Sequence, residues 1–135
     1  MGKKKVVLDT NILVSAFGWD GKPKEILRRI LRGEFELYMS KKQLEEITRV
    51  IDYPKFEFTD DQKSKFVAII TELATITETN TSLDIIKEDP SDNAILESDI
   101  ESKADYIISG DDHLLKLESY HNIKIVTATQ FLELL

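Results

Sequence analysis

The stretch Lys5-Val6-Val7-Leu8-Asp9-Thr10-Asn11 decides how the rest of the chain is read. Three consecutive apolar residues, two of them β-branched and with no polar alternation, fit a strand buried on both faces of a parallel sheet. The run stops on a carboxylate, and Thr10-Asn11 then opens an amphipathic segment from Ile12 to Phe17. The same pattern returns at Tyr106-Ile107-Ile108, followed by Ser109-Gly110-Asp111. If both runs are parallel strands of one sheet, Asp9 and Asp111 leave at its carboxyl edge, where open α/β sheets bind their ligands. Two acids converging there are the beginning of a metal site.

Working outward, 135 residues make one domain, 1–135, long enough to bury a core. With no cysteine there is neither a disulfide framework nor a thiolate zinc site. No stretch approaches the roughly 18 apolar residues of a membrane span. The N-terminus lacks a signal-peptide apolar region, and Val6 stands where a myristoylation signal wants Ser or Thr. A soluble cytoplasmic protein with no membrane partner is the expectation. The net charge of −7 argues weakly against nucleic acid, but it is unevenly spread. Residues 1–56 hold 12 Lys+Arg against 8 Asp+Glu, and residues 57–135 hold 6 against 17. A phosphate-contacting surface could draw on the first part and a cation-binding cluster on the second; two ordinary solvated faces would give the same counts.

Gly18 to Pro23 reads as a loop, and residues 24–32 as a helix with Ile26, Leu27, Ile30 and Leu31 inward. Phe35 to Met39 is the second predicted strand, and Ser40 caps a helix over 41–51 striped by Leu44, Ile47 and Ile51. Thr59 caps a further helix running to about Thr75. A short β-branched segment, 74–77, is a third strand or the end of that helix. Residues 80–90 are a polar loop, and a helix from Asp92 to Lys103 follows. After the 106–108 strand come a short helix over Leu114 to Leu117, a strand over 123–126 and a closing helix over 129–135. Strands alternating with helices indicate a parallel sheet covered on both sides.

Four carboxylates stand out. Asp9 and Asp111 each follow a buried strand, where an uncompensated charge is costly and a metal ion compensates it; the ordinary reading is that each caps the next helix. Glu46 flanks the buried stripe of the Ser40-capped helix, and Asp92 opens a later one; a solvated flank and an N-cap are their ordinary fates. Glu45, Asp89, Asp99 and Asp112 are neighbouring acids that blur the choice. His113 is a possible ligand or a plain surface residue, and His121 has no supporting context. Trp19 is expected to close a loop over the core, although stacking on a base, worth roughly 1–3 kcal/mol, is open to it. There is no nucleophile-elbow spacing and no Gly-rich phosphate loop.

From Val6-Val7-Leu8-Asp9-Thr10-Asn11-Ile12-Leu13-Val14-Ser15-Ala16 to Phe131-Leu132, the chain resembles the PIN-domain family of metal-dependent nucleases. The likeness is to the short prokaryotic (VapC-like) branch of toxins. The family opens on such an Asp-Thr-Asn strand end. Its second acid follows a Ser that starts the next helix and precedes Leu or Ile, which Ser40…Glu46-Ile47 matches. Its third stands about a dozen residues before a small-residue turn and the fourth strand, which fits Asp92; its fourth ends a Ser/Thr-x-Asp segment, here Ser109-Gly110-Asp111. Two departures are visible: Glu97, Ser98, Asp99 and Glu101 stand where small apolar residues are usual, and the Asp-Pro-Ser-Asp-Asn run permits a one-residue shift onto Asn93.

The resemblance implies a three-layer α/β/α sandwich with a mostly parallel central sheet. It implies an endoribonuclease hydrolysing RNA phosphodiester bonds, as the toxin of a toxin–antitoxin system. It also implies Mg²⁺ or Mn²⁺ as cofactor, and RNA, a cognate antitoxin and a second copy of the chain as partners. Asp9, Asp92 and Asp111 would hold the metal, and Glu46 would hold it or orient the attacking water. Asn11 and Ser109 would anchor these groups from behind. Carboxylate oxygens suit such hard cations, which lower the pKa of bound water and steady phosphate charge. Lys22, Lys24, Arg28, Arg29, Lys41 and Lys42 are the expected phosphate contacts. Mutual repulsion among the acids should raise at least one pKa. Two rival readings remain: a phosphotransfer domain with a strand-end Asp, and a catalytically inactive RNA- or protein-binding module. A phosphatase wants a second Asp where Asn11 stands, and a receiver wants a Lys at a late strand end, whereas Lys124 lies within its strand.

Overall fold

The computed structural model describes residues 3–77, 104–120 and 122–135. The opening run forms β1 (Lys4–Leu8), and Val6, Val7 and Leu8 are completely buried. Then come α1 (Thr10–Gly18), α2 (Lys22–Leu31), β2 (Phe35–Ser40), α3 (Lys41–Val50), a 3₁₀ turn at Pro54–Phe56 and α4 (Asp60–Leu73). The remaining elements are β3 (Thr75–Thr77), β4 (Tyr106–Ile108), α5 (Asp112–Leu115), β5 (Ser119–Tyr120), β6 (Ile123–Val126) and α6 (Ala128–Glu133). The helix expected over 92–103 and the loop over 80–90 lie outside the described residues.

One six-stranded sheet orders these strands β3-β2-β1-β4-β6-β5. Every pairing is parallel except β5 with β6. The antiparallel edge was not legible in the sequence: β5 is two residues long, and Glu118 before it takes a positive φ of 59°. The ambiguous segment near 74–77 is a strand, because Tyr38, Met39 and Ser40 pair with Thr75, Ile76 and Thr77.

Alternation along the strands feeds two cores, one on each sheet face. Val6, Leu8, Leu37, Met39 and Ile108 meet Leu13, Ile26, Ile47, Phe66, Ile70 and Phe131, so α1–α4 and α6 cover that face. Val7, Ile107, Ile123 and Ile125 meet Leu114 of α5 on the other face. Helix on sheet on helix gives three layers, as expected. Fully burying one of these aliphatic or aromatic side chains contributes about 1.5–3 kcal/mol, which is why the uninterrupted apolar run, rather than its propensity, fixes β1 at the centre.

Capping sets the helix ends. Thr59 with Gln62, and Thr127 with Gln130, form reciprocal capping boxes. Gly33 at φ 82° terminates α2, a conformation that a Cβ disfavours. The chain runs out along β1, β2 and β3 in one direction and returns to place β4 on the opposite side of β1. The strand order therefore reverses between β1 and β4, and the crevice at a topological switch point is where such sheets bind ligands.

Candidate active site

The register pairs Leu8 with Ile108, so Asp9 and Ser109 are the next residues of adjacent strands. The Asp9 N–H donates to the Ile108 carbonyl at 3.0 Å, and the Ser109 N–H to Val126 at 2.9 Å. The ends of β1, β4 and β6 are thus laced together at one edge. Asp9 is only 4% exposed, and Ser109 is fully buried.

Both oxygens of Asp9 are occupied. Oδ1 accepts from the Ile12 N–H at 2.7 Å, which caps α1, and Oδ2 accepts from the Ser109 hydroxyl. That hydroxyl in turn accepts from the Asp111 N–H at 2.9 Å, so its own proton is directed at Asp9. Asp111 Oδ1 accepts from the His113 N–H at 2.7 Å and caps α5. Capping therefore leaves a site role open to both aspartates, because each cap uses one oxygen of two. Asp111 is half-buried, and its Oδ2 has no hydrogen-bond donor among the described residues.

Burial raises the pKa of Asp9. The Ser109 hydroxyl and the Ile12 and Gly110 backbone N–H groups oppose the shift, and the charge of Asp111 adds the smallest upward contribution. The sequence led to an expectation of mutual repulsion as the cause; desolvation is the dominant one here. Among the described residues no cationic side chain pairs with Asp9. A buried carboxylate without a counter-charge, facing a second carboxylate through oxygen ligands, fits a hard divalent cation.

These acids open onto a cleft of about 510 Å³ lined by Asp9, Asn11, Ile12, Ser15, Gly110, Asp111, Asp112 and His113. Asn11 and His113 are exposed at its rim. Glu46 does not line this cleft; it is half-buried on the second turn of α3, which starts from the same sheet edge at Ser40. Asp92, with Asp89, Asp99 and His121, lies outside the described residues. Among the described residues no three acid or histidine side chains stand close enough to cage a metal by themselves. A larger groove of about 730 Å³ runs between α3 and α4, but its Asp52 is taken by Lys63 at 2.6 Å.

The six basic candidates divide into two groups. Lys22 donates to Thr129 Oγ1 at 3.0 Å, two residues beyond the cap that follows β6, and so sits by the carboxyl edge. Lys41 and Lys42 are the exposed first two residues of α3, also at that edge. Lys24 turns to the Phe17 carbonyl at 3.4 Å and to Asp20. Arg28 and Arg29 are about 9 Å or more further along α2 at 1.5 Å per residue, paired with Asp20, Glu25 and Glu34. Those two do not flank the acids.

Trp19 differs from expectation: it is 51% exposed and leans on Phe56 and Phe58 at centroid distances of 6.1 and 5.9 Å. Gly18 makes this possible, since a Cβ there would meet Phe58 at 3.0 Å.

One polar residue went unnoticed in the sequence. Gln43 is fully buried, and its Nε2 donates to the Leu8 carbonyl at 2.5 Å. Its Oε1 and Thr10 Oγ1 are buried atoms without a hydrogen-bond partner among the described residues. They are contributed by residues on either side of Asp9: Thr10 follows it, and Gln43 binds the residue before it. Leaving such an atom unpaired costs about 1–3 kcal/mol. A glutamine at a helix position otherwise suited to an apolar residue was the only signal available.

Residues 5–113 match the family model described as PIN domain. Comparison with curated proteins gives no match. Among solved structures the chain is similar to one in the crystal structure of VapBC2 from Rickettsia felis bound to a DNA fragment from their promoter. The TM-score is 0.63 at 15% identity, covering 90% of this chain and 96% of that one.

Proposed function

Since this chain belongs to the PIN-domain family, we propose that it is a metal-dependent endoribonuclease whose centre is the crevice between β1 and β4. The observation that carries the reading is the buried Asp9 carboxylate, joined through Ser109 to Asp111 and lacking a cationic partner among the described residues. The strand order 3-2-1-4-6-5 also differs from the 2-1-3-4-5 order of receiver-like folds, which argues against the phosphotransfer alternative.

Asp9 and Asp111 would hold Mg²⁺ or Mn²⁺, with Glu46 and Asp92 completing the donor set. When bound, the ion supplies Lewis acidity, making water nucleophilic near neutral pH and offsetting phosphate charge. The chain's own groups do the remaining work. Ser109 fixes the orientation of Asp9, and its hydroxyl with the Ile12 and Gly110 N–H groups offsets part of the cost that burial puts on the charged carboxylate. Glu46 would hold the ion or orient the attacking water. Asn11, exposed at the rim, is placed to anchor substrate or carboxylate. Lys22, Lys41 and Lys42 attract the RNA backbone to the edge.

The likeness to a chain in a VapBC2 structure supports a toxin role with a cognate antitoxin; a homodimeric state belongs to the same proposal. The assay is cleavage of generic single-stranded RNA with and without Mn²⁺, beside an Asp9→Asn control. Metal-dependent cleavage by the parent alone supports the proposal; equal cleavage by the control, or none by either, refutes it.

A further inference from the structure

The pairing of β1 with β2 runs from Lys4↔Phe35 to Val6↔Leu37, whereas the pairing of β1 with β4 continues to Leu8↔Ile108. The Leu8 carbonyl lies beyond the last β1–β2 pair, and Gln43 of α3 supplies its donor at 2.5 Å. Gln43 is the third residue of α3, and its own N–H donates to the Ser40 cap at 3.0 Å. One residue thus ties the helix start to the end of β2 through its backbone, and to the end of β1 through its side chain. Glu46 follows three positions later, so it shares the Gln43 face of the helix one turn on.

We infer that Gln43 is a positioning residue, clamping the first turn of α3 to the last peptide of β1 and so fixing Glu46 relative to Asp9. The inference rests on the proposed metal-dependent cleavage and deepens it. Packing alone does not call for an amide here. A methionine would fill similar space and remove the unpaired Oε1 while leaving the Leu8 carbonyl without its donor, so it exchanges one unpaired buried oxygen for another and packing gives the amide no advantage. What the amide provides is a directional bond to one peptide, the one that carries Asp9. Without that bond only apolar contacts such as those of Ile47 set the rotation of α3, and the half-buried Glu46 moves with the helix.

The test compares the parent with Gln43→Met, Glu46→Gln and the double variant, each checked for a cooperative melt. Gln43→Met is expected to melt like the parent and keep KM for RNA within twofold. Its kcat should fall at least tenfold, and the Mn²⁺ midpoint in calorimetry should rise by a similar factor. Because Gln43 acts through Glu46, adding Gln43→Met to Glu46→Gln should change kcat by less than twofold. An unchanged kcat in Gln43→Met, or losses that multiply in the double variant, overturns the inference. Gln43→Asn, whose amide is one methylene too short to reach Leu8, replaces the methionine variant if that one does not fold. If neither folds, Gln43 is a plain core element and the inference is overturned. A parent that neither binds Mn²⁺ nor cleaves RNA would instead refute the proposed function.

Discussion

The ends of β1 and β4 are built from one local pattern and arrive at different chemistry. Each is a buried run closed by an aspartate that caps the next helix with one oxygen. Asp9 is followed by nine helical residues whose Leu13, Val14 and Ala16 are buried, and that helix presses the carboxylate into the protein. Asp111 is followed by a four-residue helix with one buried side chain, and it stays half in solvent. Burial raises the pKa of Asp9. The apolar mass that follows an acid, more than the strand before it, decides how far its charge is desolvated.

The largest test of this contrast is metal linkage. Mn²⁺ at about 100 times its Kd should stabilise the parent by roughly 2.7 kcal/mol at neutral pH. In Asp9→Asn most of that should vanish together with cleavage, while the metal-free variant melts at or above the parent. Thermal melts with and without Mn²⁺ check both; a metal-free Asp9→Asn melting well below the parent would make Asp9 a structural cap and break the comparison. Next in size, Ser109→Ala removes the hydroxyl joining the two strand ends and should lower kcat/KM by about 10–100-fold. An unchanged value would mean the aspartates act independently of it.

A smaller effect is read from the pH dependence of stability. The folded-state pKa of Asp9 is raised, so between its unfolded value near 3.8 and the raised folded one the native state holds a proton that the unfolded chain has released. Asp9 therefore adds stability below that window, and the metal-free protein loses it as pH rises through the window. Denaturant titrations of parent and Asp9→Asn across this range should show the loss in the parent and its absence in the variant. The smallest effect concerns RNA binding. Reversing the charge of Lys41 and Lys42 should flatten the salt dependence by about one unit of slope for every phosphate no longer neutralised, and reversing Arg28 and Arg29 should leave it unchanged. Equal slopes in the two variants would place the RNA elsewhere.

Much of this was legible in the residues. An unbroken Val-Val-Leu run is buried on both faces because no polar atom in it needs water, so the parallel sheet, the strand ends and the caps at Ser40, Thr59 and Asp9 follow from local pattern. Membership of the PIN-domain family was legible for the same reason: its signatures are strand ends followed by caps. What tertiary structure alone decided are quantities set by neighbours distant in sequence. Burial, more than repulsion from Asp111, lifts the Asp9 pKa. The position of Lys22 beside Thr129, with Arg28 and Arg29 turned to Glu25 and Glu34, depends on which face of α2 meets α6. The Gln43 bond to Leu8 spans 35 positions, and no local pattern encodes a hydrogen bond across that separation.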